Sequence, residues 1–282
     1  TFTRTGDILG NYTDDAVQRR EIARHNARDG DAYHRYSTEV MRQCKFIRPL
    51  LLRTPPDPTS LKPRDLKEMI FLGKELNKFG EQFIYDTLRF YSMSIADFLN
   101  EYFESDAVKC HLSGSGIIGS AMGVYSPGTA YVLVHHYMGD VDGSIGAWGF
   151  ARGGMGAVSK SIASAFKSFG GEIVVDAPVK QVIVKGGRVV GVAIENGTEY
   201  YADVVVSNLD PRRTYTKIFD PKDLPPAIVE KAKNWKIRGS SGKLNIALDG
   251  LPEFPALGKD NPLAYGDMHF LDSLEKMERA YD

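Results

Sequence analysis

Apolar residues between positions 13 and 109 recur every three or four places, the repeat of helices with one buried face. Thr13 with Asp14–Asp15 forms a start signal for a short polar helix to about His25. Tyr33, Tyr36, Val40, Cys44, Ile47 and Leu51 then mark a long helix, stopped by Thr54-Pro55-Pro56-Asp57-Pro58. Pro63 suits a first helical turn, and Leu66, Met69, Ile70, Leu76 and Phe79 follow it. A further helix runs through Ile84 and Leu88. Ser94 with Asp97 three residues on caps another, carrying Phe98, Tyr102 and Phe103. Stripes of this kind are read first as core packing and second as ligand contacts.

Residues 110–139 contain no Asp, Glu, Lys or Arg. Repeated glycines, Pro127 and three histidines argue against a membrane span there. The stretch is expected to be buried backbone, with a helix starting at Ser126–Pro127 and running through Leu133 to Met138. A charge-free wall of this kind suits an apolar ligand pocket or an ordinary core, and both readings stay open.

From 144 the pattern becomes α/β. Val158, Ile162, Ala165, Phe166 and Phe169 predict an amphipathic helix, closed by Gly170–Gly171. Strands are predicted at Glu172–Val175, Val179–Val184 and Arg188–Ile194. The Asn196–Gly197 turn leads into Thr198–Tyr201, and Asp203–Ser207 reads as a buried, valine-rich strand. Beyond the Asp210–Pro211 close come a proline-rich connection, a short helix near Val229–Trp235, strands at Lys243–Leu248 and near Tyr265–Leu271, and a helical run Ser273–Tyr281.

Composition narrows the function classes. The chain has 282 residues, is 43% hydrophobic and carries a formal net charge of -1, so no basic excess points to nucleic acid. Cys44 and Cys110 are the two cysteines and form no C-x-x-C pair, which argues against a disulfide scaffold, a zinc site or a dithiol centre. The histidines His25, His34, His111, His135, His136 and His269 contain no H-E-x-x-H pattern. Few thiols fit a reducing compartment, cytoplasmic or an organelle matrix.

Gly153-Gly154-Met155-Gly156, the helix after it, Gly170–Gly171, Val174, Pro178–Val179, Val182, Gly191–Val192, Ala202-Asp203-Val204-Val205-Val206-Ser207-Asn208 and Asp210–Pro211 form an ordered set. That set resembles the central segment of phytoene-dehydrogenase-like FAD oxidoreductases, relatives of the carotenoid desaturases and flavin amine oxidases. The resemblance is specific over 144–211, weak over 13–109, and one of layout over 212–282. It implies an α+β flavoprotein in which a mixed sheet with a β-meander stands beside a largely helical substrate or cap region. The expected division is a hairpin remnant at 1–12, a helical substrate-binding region at 13–143, part of an FAD-binding domain at 144–211, and a return to the substrate side at 212–282.

The family binds FAD through a G-x-G-x-x-G turn between a strand and a helix. Gly114-Ser115-Gly116-Ile117-Ile118-Gly119 spells that pattern, but no β-branched strand precedes it. Asp140, at the distance of the usual acidic residue, follows a proline-started helix instead of a strand. The chain is therefore expected to be an internal piece without the N-terminal Rossmann unit, inactive alone, within a parent that is an enzyme.

By the resemblance, Val179 touches the adenine end of FAD; the plainer alternative is a strand start after Pro178. Ser207, Asn208 and Leu209 face the cofactor, or else form a capping turn before Pro211. Gly153, Gly154 and Met155 pass the flavin ring and line the substrate cavity, or else make a tight loop ahead of a helix. The family's flavin exchanges a hydride with a mostly apolar substrate. For an assisting base the candidates are His135, His136 and Tyr137, with Asp140 or Asp142 nearby, set against the commoner role of a hydrogen-bonded core histidine. The expected activity is of dehydrogenase or desaturase type. The alternatives are a flavin-dependent isomerase or a non-catalytic binding protein on a flavoprotein scaffold. Expected partners are an apolar small molecule, a membrane surface in peripheral contact, and a second copy through exposed sheet edges, with no nucleic acid.

Overall fold

Several helices begin where the sequence supplies an acceptor for their free N–H groups. In the computed structural model α1 (Asp15–His25) starts behind Asp14, whose carboxylate accepts the Val17 N–H. Helix α2 (Ala27–Ile47) starts behind Asn26, whose amide oxygen accepts from Arg28 and Asp29. Helix α3 (Pro63–Asn77) uses proline in its first turn, and α4 (Glu81–Ser92) follows Gly80. Helix α5 (Ile95–Asn100) is capped by Ser94, which accepts from the Asp97 N–H as expected. Helices α6 (Asp106–Ile117) and α7 (Thr129–Tyr137) complete the first half, and a two-residue hairpin, β1 (Asp140–Val141) with β2 (Ser144–Ile145), follows. The described residues are 1–282 apart from 4, 142, 240, 251, 260, 271 and 272, and the side chain of Ser144 is likewise left aside.

Next come α8 (Met155–Ser168) and an antiparallel meander of β3 (Val179–Lys185), β4 (Arg188–Ile194) and β5 (Glu199–Tyr201), with Val182 opposite Val192 and Gly191 opposite Tyr201. Helix α9 (Pro211–Arg213) runs directly into a π-helical turn, Thr214–Ile218. Helices α10 (Pro226–Lys233) and α11 (Leu274–Tyr281) close the order. The chain divides into two compact units: residues 1–149 with 239–282, and residues 150–238. Against the expected division, 212–238 groups with the meander and 239–282 with the helices.

The helical unit holds one hydrophobic cluster, which includes Tyr36, Phe83, Ile95, Leu99, Val108, Leu133, Leu274 and Met277. Tyr36 is its aromatic centre, with the rings of Phe103, Tyr102 and Phe98 at 5.2, 5.8 and 5.9 Å. Asp29 is fully buried on α2, and its two carboxylate oxygens accept the N–H groups of Glu104 and Ser105 at 2.8 and 2.9 Å. That pair of bonds fastens α2 to the chain entering α6. No described helix is long and apolar enough to cross a membrane.

The α+β class holds, with corrections. The sheet is a three-stranded antiparallel meander, not a mixed sheet. Residues 172–175 and 203–207 form no strand and join no ladder. A strand requires a neighbour to take its N–H and C=O groups, and among the described residues the N–H groups of Val204, Val205 and Val206 find none. Val204 and Val206 stand 76% and 88% exposed, so the valine pattern of a buried strand lacks the layer that would bury it. The expected strands at 243–248 and 265–271 are likewise absent. Tyr265 ends a 3-10 turn, 266–270 are irregular, and Leu271 lies outside the described residues. The opening segment forms a single bridge, Phe2 with Ile8.

The charge-free stretch also differs from its reading, because its first part is the helix α6. Gly114 and Gly116 lie inside α6, so the G-x-G-x-x-G spelling makes no strand–turn–helix. A Cβ on Gly116 would sit 2.7 Å from the Ile95 side chain. Close approach of α5, and not a phosphate, is what requires a glycine there.

His111 on α6 accepts or donates a 2.7 Å hydrogen bond with the Thr1 hydroxyl, and desolvation brings its imidazole down to about 3. The folded protein thus holds His111 neutral where an unfolded chain, titrating near 6.5, would bind a proton. Stability should fall as pH drops below that value, by up to about 1.4 kcal/mol per pH unit. His111→Asn should flatten the slope of unfolding free energy between about pH 6.5 and 4. Separately, Asp29→Ala should cost about 3 kcal/mol in urea unfolding, since two buried N–H groups lose a charged acceptor. Gly116→Ala should cost about 1–3 kcal/mol by overpacking against Ile95.

Candidate functional site

In the 150–238 unit the meander and the π-helical turn enclose a cavity of about 640 Å³. Val182, Val189 and Val192 supply strand walls, and Thr214, Tyr215, Ile218 and Phe219 supply the opposite side. The Tyr215 and Phe219 rings stack at 5.7 Å, which sets the shape of that side. The lip is Val205–Leu209, with Val179 at the start of β3. All four residues expected to contact a cofactor, Val179, Ser207, Asn208 and Leu209, therefore line one cavity.

Local hydrogen bonds fix the lip. Asp210 caps α9 by accepting the Arg213 N–H at 2.8 Å. The Ser207 hydroxyl accepts the Leu209 N–H at 3.3 Å and lies 3.1 Å from the Thr214 hydroxyl. The capping-turn alternative is thus real for Asp210 and Ser207, and it is this turn that gives the lip its form. Asn208 is exposed, and its amide makes no hydrogen bond among the described residues. The cavity is a valine and aromatic slot with no charged side chain in its lining, bordered by the N–H groups of 204–206, which have no partner among the described residues. An uncharged slot of this kind suits a flat, largely apolar group. Its lining offers no cation for a pyrophosphate.

Gly153, Gly154 and Met155 do not line this cavity. Gly153 and Gly154 have φ of +85° and +74°, the left-handed region that glycine enters freely. Met155 opens α8 and is 75% exposed.

His135, His136 and Tyr137 belong to the helical unit, on α7. The exposed His135 ring meets Tyr131 edge-on at 4.9 Å. His136 stacks on Trp148 at 5.8 Å, and the Trp148 indole N–H donates to its backbone carbonyl at 3.2 Å. Tyr137 lines a second cavity of about 280 Å³ with Tyr12, Tyr33 and Tyr36. Burial raises the pKa of the phenols of Tyr33, Tyr36 and Tyr137, so all three stay protonated at neutral pH. The Tyr36 hydroxyl is fully buried beside Tyr137 and has no hydrogen-bond partner of acceptable geometry. Asp140 is occupied by Arg48 at 2.8 Å and by the Gly143 N–H at 2.7 Å, and these bonds lower its pKa. Asp142 lies outside the described residues. No cluster of three metal-ligating side chains occurs among the described residues.

Sequence reading missed Val189 and the Thr214–Phe219 side of the first cavity. The only signal for the latter was Asp210–Pro211, a helix start whose continuation into a π turn has no residue signature.

Comparison with known proteins decides the family. Residues 17–271 match the family of flavin-containing amine oxidoreductases. The chain belongs to that family. It is 33% identical, over 92% of its own length, to mouse pyridine nucleotide-disulfide oxidoreductase domain-containing protein 2, and spans 45% of that relative. It is 28% identical to the lycopene-forming phytoene desaturase of Pantoea ananas over 45% of the chain and 24% of the desaturase. With prolycopene isomerase 2 of an Oncidium hybrid cultivar it shares 30% identity over 34% of the chain and 16% of the isomerase. A kinship with the carotenoid desaturases is thus shown, and the chain spans about half the length of the first of these relatives.

The unsatisfied Tyr36 hydroxyl gives a direct test of the second cavity's packing. Tyr36→Phe should leave thermal stability unchanged or raise it by up to about 1 kcal/mol, because the hydroxyl is buried and its approach to Tyr137 falls short of hydrogen-bond geometry. A loss of more than about 2 kcal/mol would mean that the hydroxyl has a partner in solution.

Proposed function

We propose that residues 1–282 form the meander and substrate-side region of an FAD-dependent oxidoreductase of dehydrogenase or desaturase type acting on an apolar substrate. The observation that supports it best is the convergence of Val179, Ser207, Asn208 and Leu209 on one uncharged cavity in a chain of the flavin family. In this reading the cavity takes the adenine end of FAD. Backbone groups at Val179 and at 204–206 meet the adenine edge, and Leu209 covers its face. The bound flavin supplies the hydride acceptor or donor. Gly153–Met155 would pass the ring and border the substrate. Tyr137, kept protonated by burial, suits holding a proton better than taking one; His135 or His136 would serve as base.

The similarity to prolycopene isomerases supports a second reading, a flavin-dependent isomerase with the same cofactor contacts. The two cysteines, Cys44 and Cys110, are both buried and form no disulfide, which suits a cytoplasmic or organelle-matrix setting. The open edges at 172–175 and 203–207, together with the exposed apolar face of α8 (Ile162 and Phe166 among it), suit further polypeptide that completes the sheet. The chain alone, with no phosphate cradle in the cavity, would bind FAD weakly and turn over nothing.

Fluorescence titration of the chain with FAD tests the cavity assignment. Binding should be competed by AMP and not by FMN, and Leu209→Trp should weaken it about tenfold without changing the melting curve, a difference of about 1.4 kcal/mol. Competition by FMN alone, or no binding, would overturn the assignment. By light scattering the chain should run as a dimer or larger species through its open edges, and a monodisperse monomer would contradict that.

A further inference from the structure

We propose that the phenol-lined cavity of the helical unit binds a small, uncharged aromatic carbonyl compound, whose oxygen accepts hydrogen bonds from Tyr36 and Tyr137. The cavity, of about 280 Å³, has room for a single-ring molecule. On its wall the Tyr36 ring is held by Phe103, Tyr102 and Phe98 at 5.2, 5.8 and 5.9 Å. The Tyr36 hydroxyl is buried beside Tyr137 and has no hydrogen-bond partner of acceptable geometry. Packing does not ask for a hydroxyl at this place. The same cluster uses phenylalanine at Phe98 and Phe103, and a phenylalanine at 36 would leave no polar atom unsatisfied. Buried polar atoms almost always have a partner, so an orphan O–H on a cavity wall marks the place of a ligand atom.

Three features choose the ligand. Burial keeps Tyr33, Tyr36 and Tyr137 protonated, so each phenol has a hydrogen to donate. A carbonyl oxygen has two lone pairs and can accept from Tyr36 and Tyr137 together. Val40, Met41 and Ile145 give the cavity apolar wall, and the Tyr33 ring, tilted 39° to that of Tyr36, offers an aromatic face. Such walls suit an aryl ring packed offset or edge-on. Asp15 is the one charged residue among the described residues of the lining. Its carboxylate is exposed and accepts the Ser37 hydroxyl at 3.4 Å, so it repels a carboxylate ligand without offering a buried partner to a cation. The inference is independent of the cofactor reading, because every residue it uses belongs to the helical unit.

Calorimetric titration of the full chain with four single-ring probes tests this. Acetophenone should bind about tenfold more tightly than ethylbenzene, which has the same ring and no oxygen. Benzoate should bind more weakly than acetophenone and gain affinity in Asp15→Asn. Tyr36→Phe and Tyr137→Phe should each weaken acetophenone about tenfold and leave ethylbenzene unchanged, a split that a mere packing defect would not produce. Ile145→Trp, at an exposed edge of the cavity, should block both probes. Leu209→Trp, in the cavity of the other unit, should change neither. If Tyr36→Phe does not fold, Tyr137→Phe carries the test. The proposal fails if acetophenone does not bind, if it binds no better than ethylbenzene, or if the phenylalanine variants bind it unchanged. It fails equally if Leu209→Trp removes the binding, which places the probe in the first cavity. Tightest binding by benzylamine would also overturn it, since the rings would then form a cage for a cation.

Discussion

A backbone N–H withdrawn from water must find an acceptor, and the two units of this chain meet that constraint unequally. In the helical unit several segments solve it locally. Caps at Asp14, Asn26 and Ser94 serve the helix starts, and Asp29 serves Glu104 and Ser105 from a distance. The meander solves it for β3, β4 and β5. The stretches on either side of the meander do not, and their valines stay in water as a result.

This difference separates what was legible in the residues from what was not. Helices α1, α3, α5 and α8 are stated by local chemistry: a capping aspartate, a first-turn proline, a capping serine, a glycine pair at the end. Each of those signals acts within about one turn of the residue that makes it. Helix α6 was hidden because Gly114 and Gly116 argue against a helix by propensity, and what outweighs them is the approach of Ile95 from α5. The strands at 172–175 and 203–207 were misread for the opposite reason. Their valine content reports a strand as a local preference, but a strand is a relation between two segments, and these two pair with no other segment among the described residues.

The candidate site follows the same rule. Val179 and Ser207–Leu209 could be named only by resemblance, since no single one of them carries chemistry. What the fold adds is their convergence with Thr214 and Phe219, which lie on the far side of a proline and a π turn. The residues with acid–base chemistry, His135, His136 and Tyr137, were legible as candidates because they stand in a charge-free stretch. Their surroundings were not legible: His136 is covered by Trp148, and Tyr137 belongs to a group of phenols that burial keeps protonated.

Helix α11 has a consequence for the order in which the protein assembles. Leu274 and Met277 complete a core whose other members all lie before residue 139, and the Ser113 hydroxyl rests against the Met277 sulfur at 3.2 Å. On the ribosome, α6 and α7 emerge long before the side chains that cover them. Helical units usually fold fast because their contacts are local. This one cannot close until the whole of 150–238 has been synthesised, so its last step is a long-range one, and the growing chain must carry an open groove on α6 until α11 arrives.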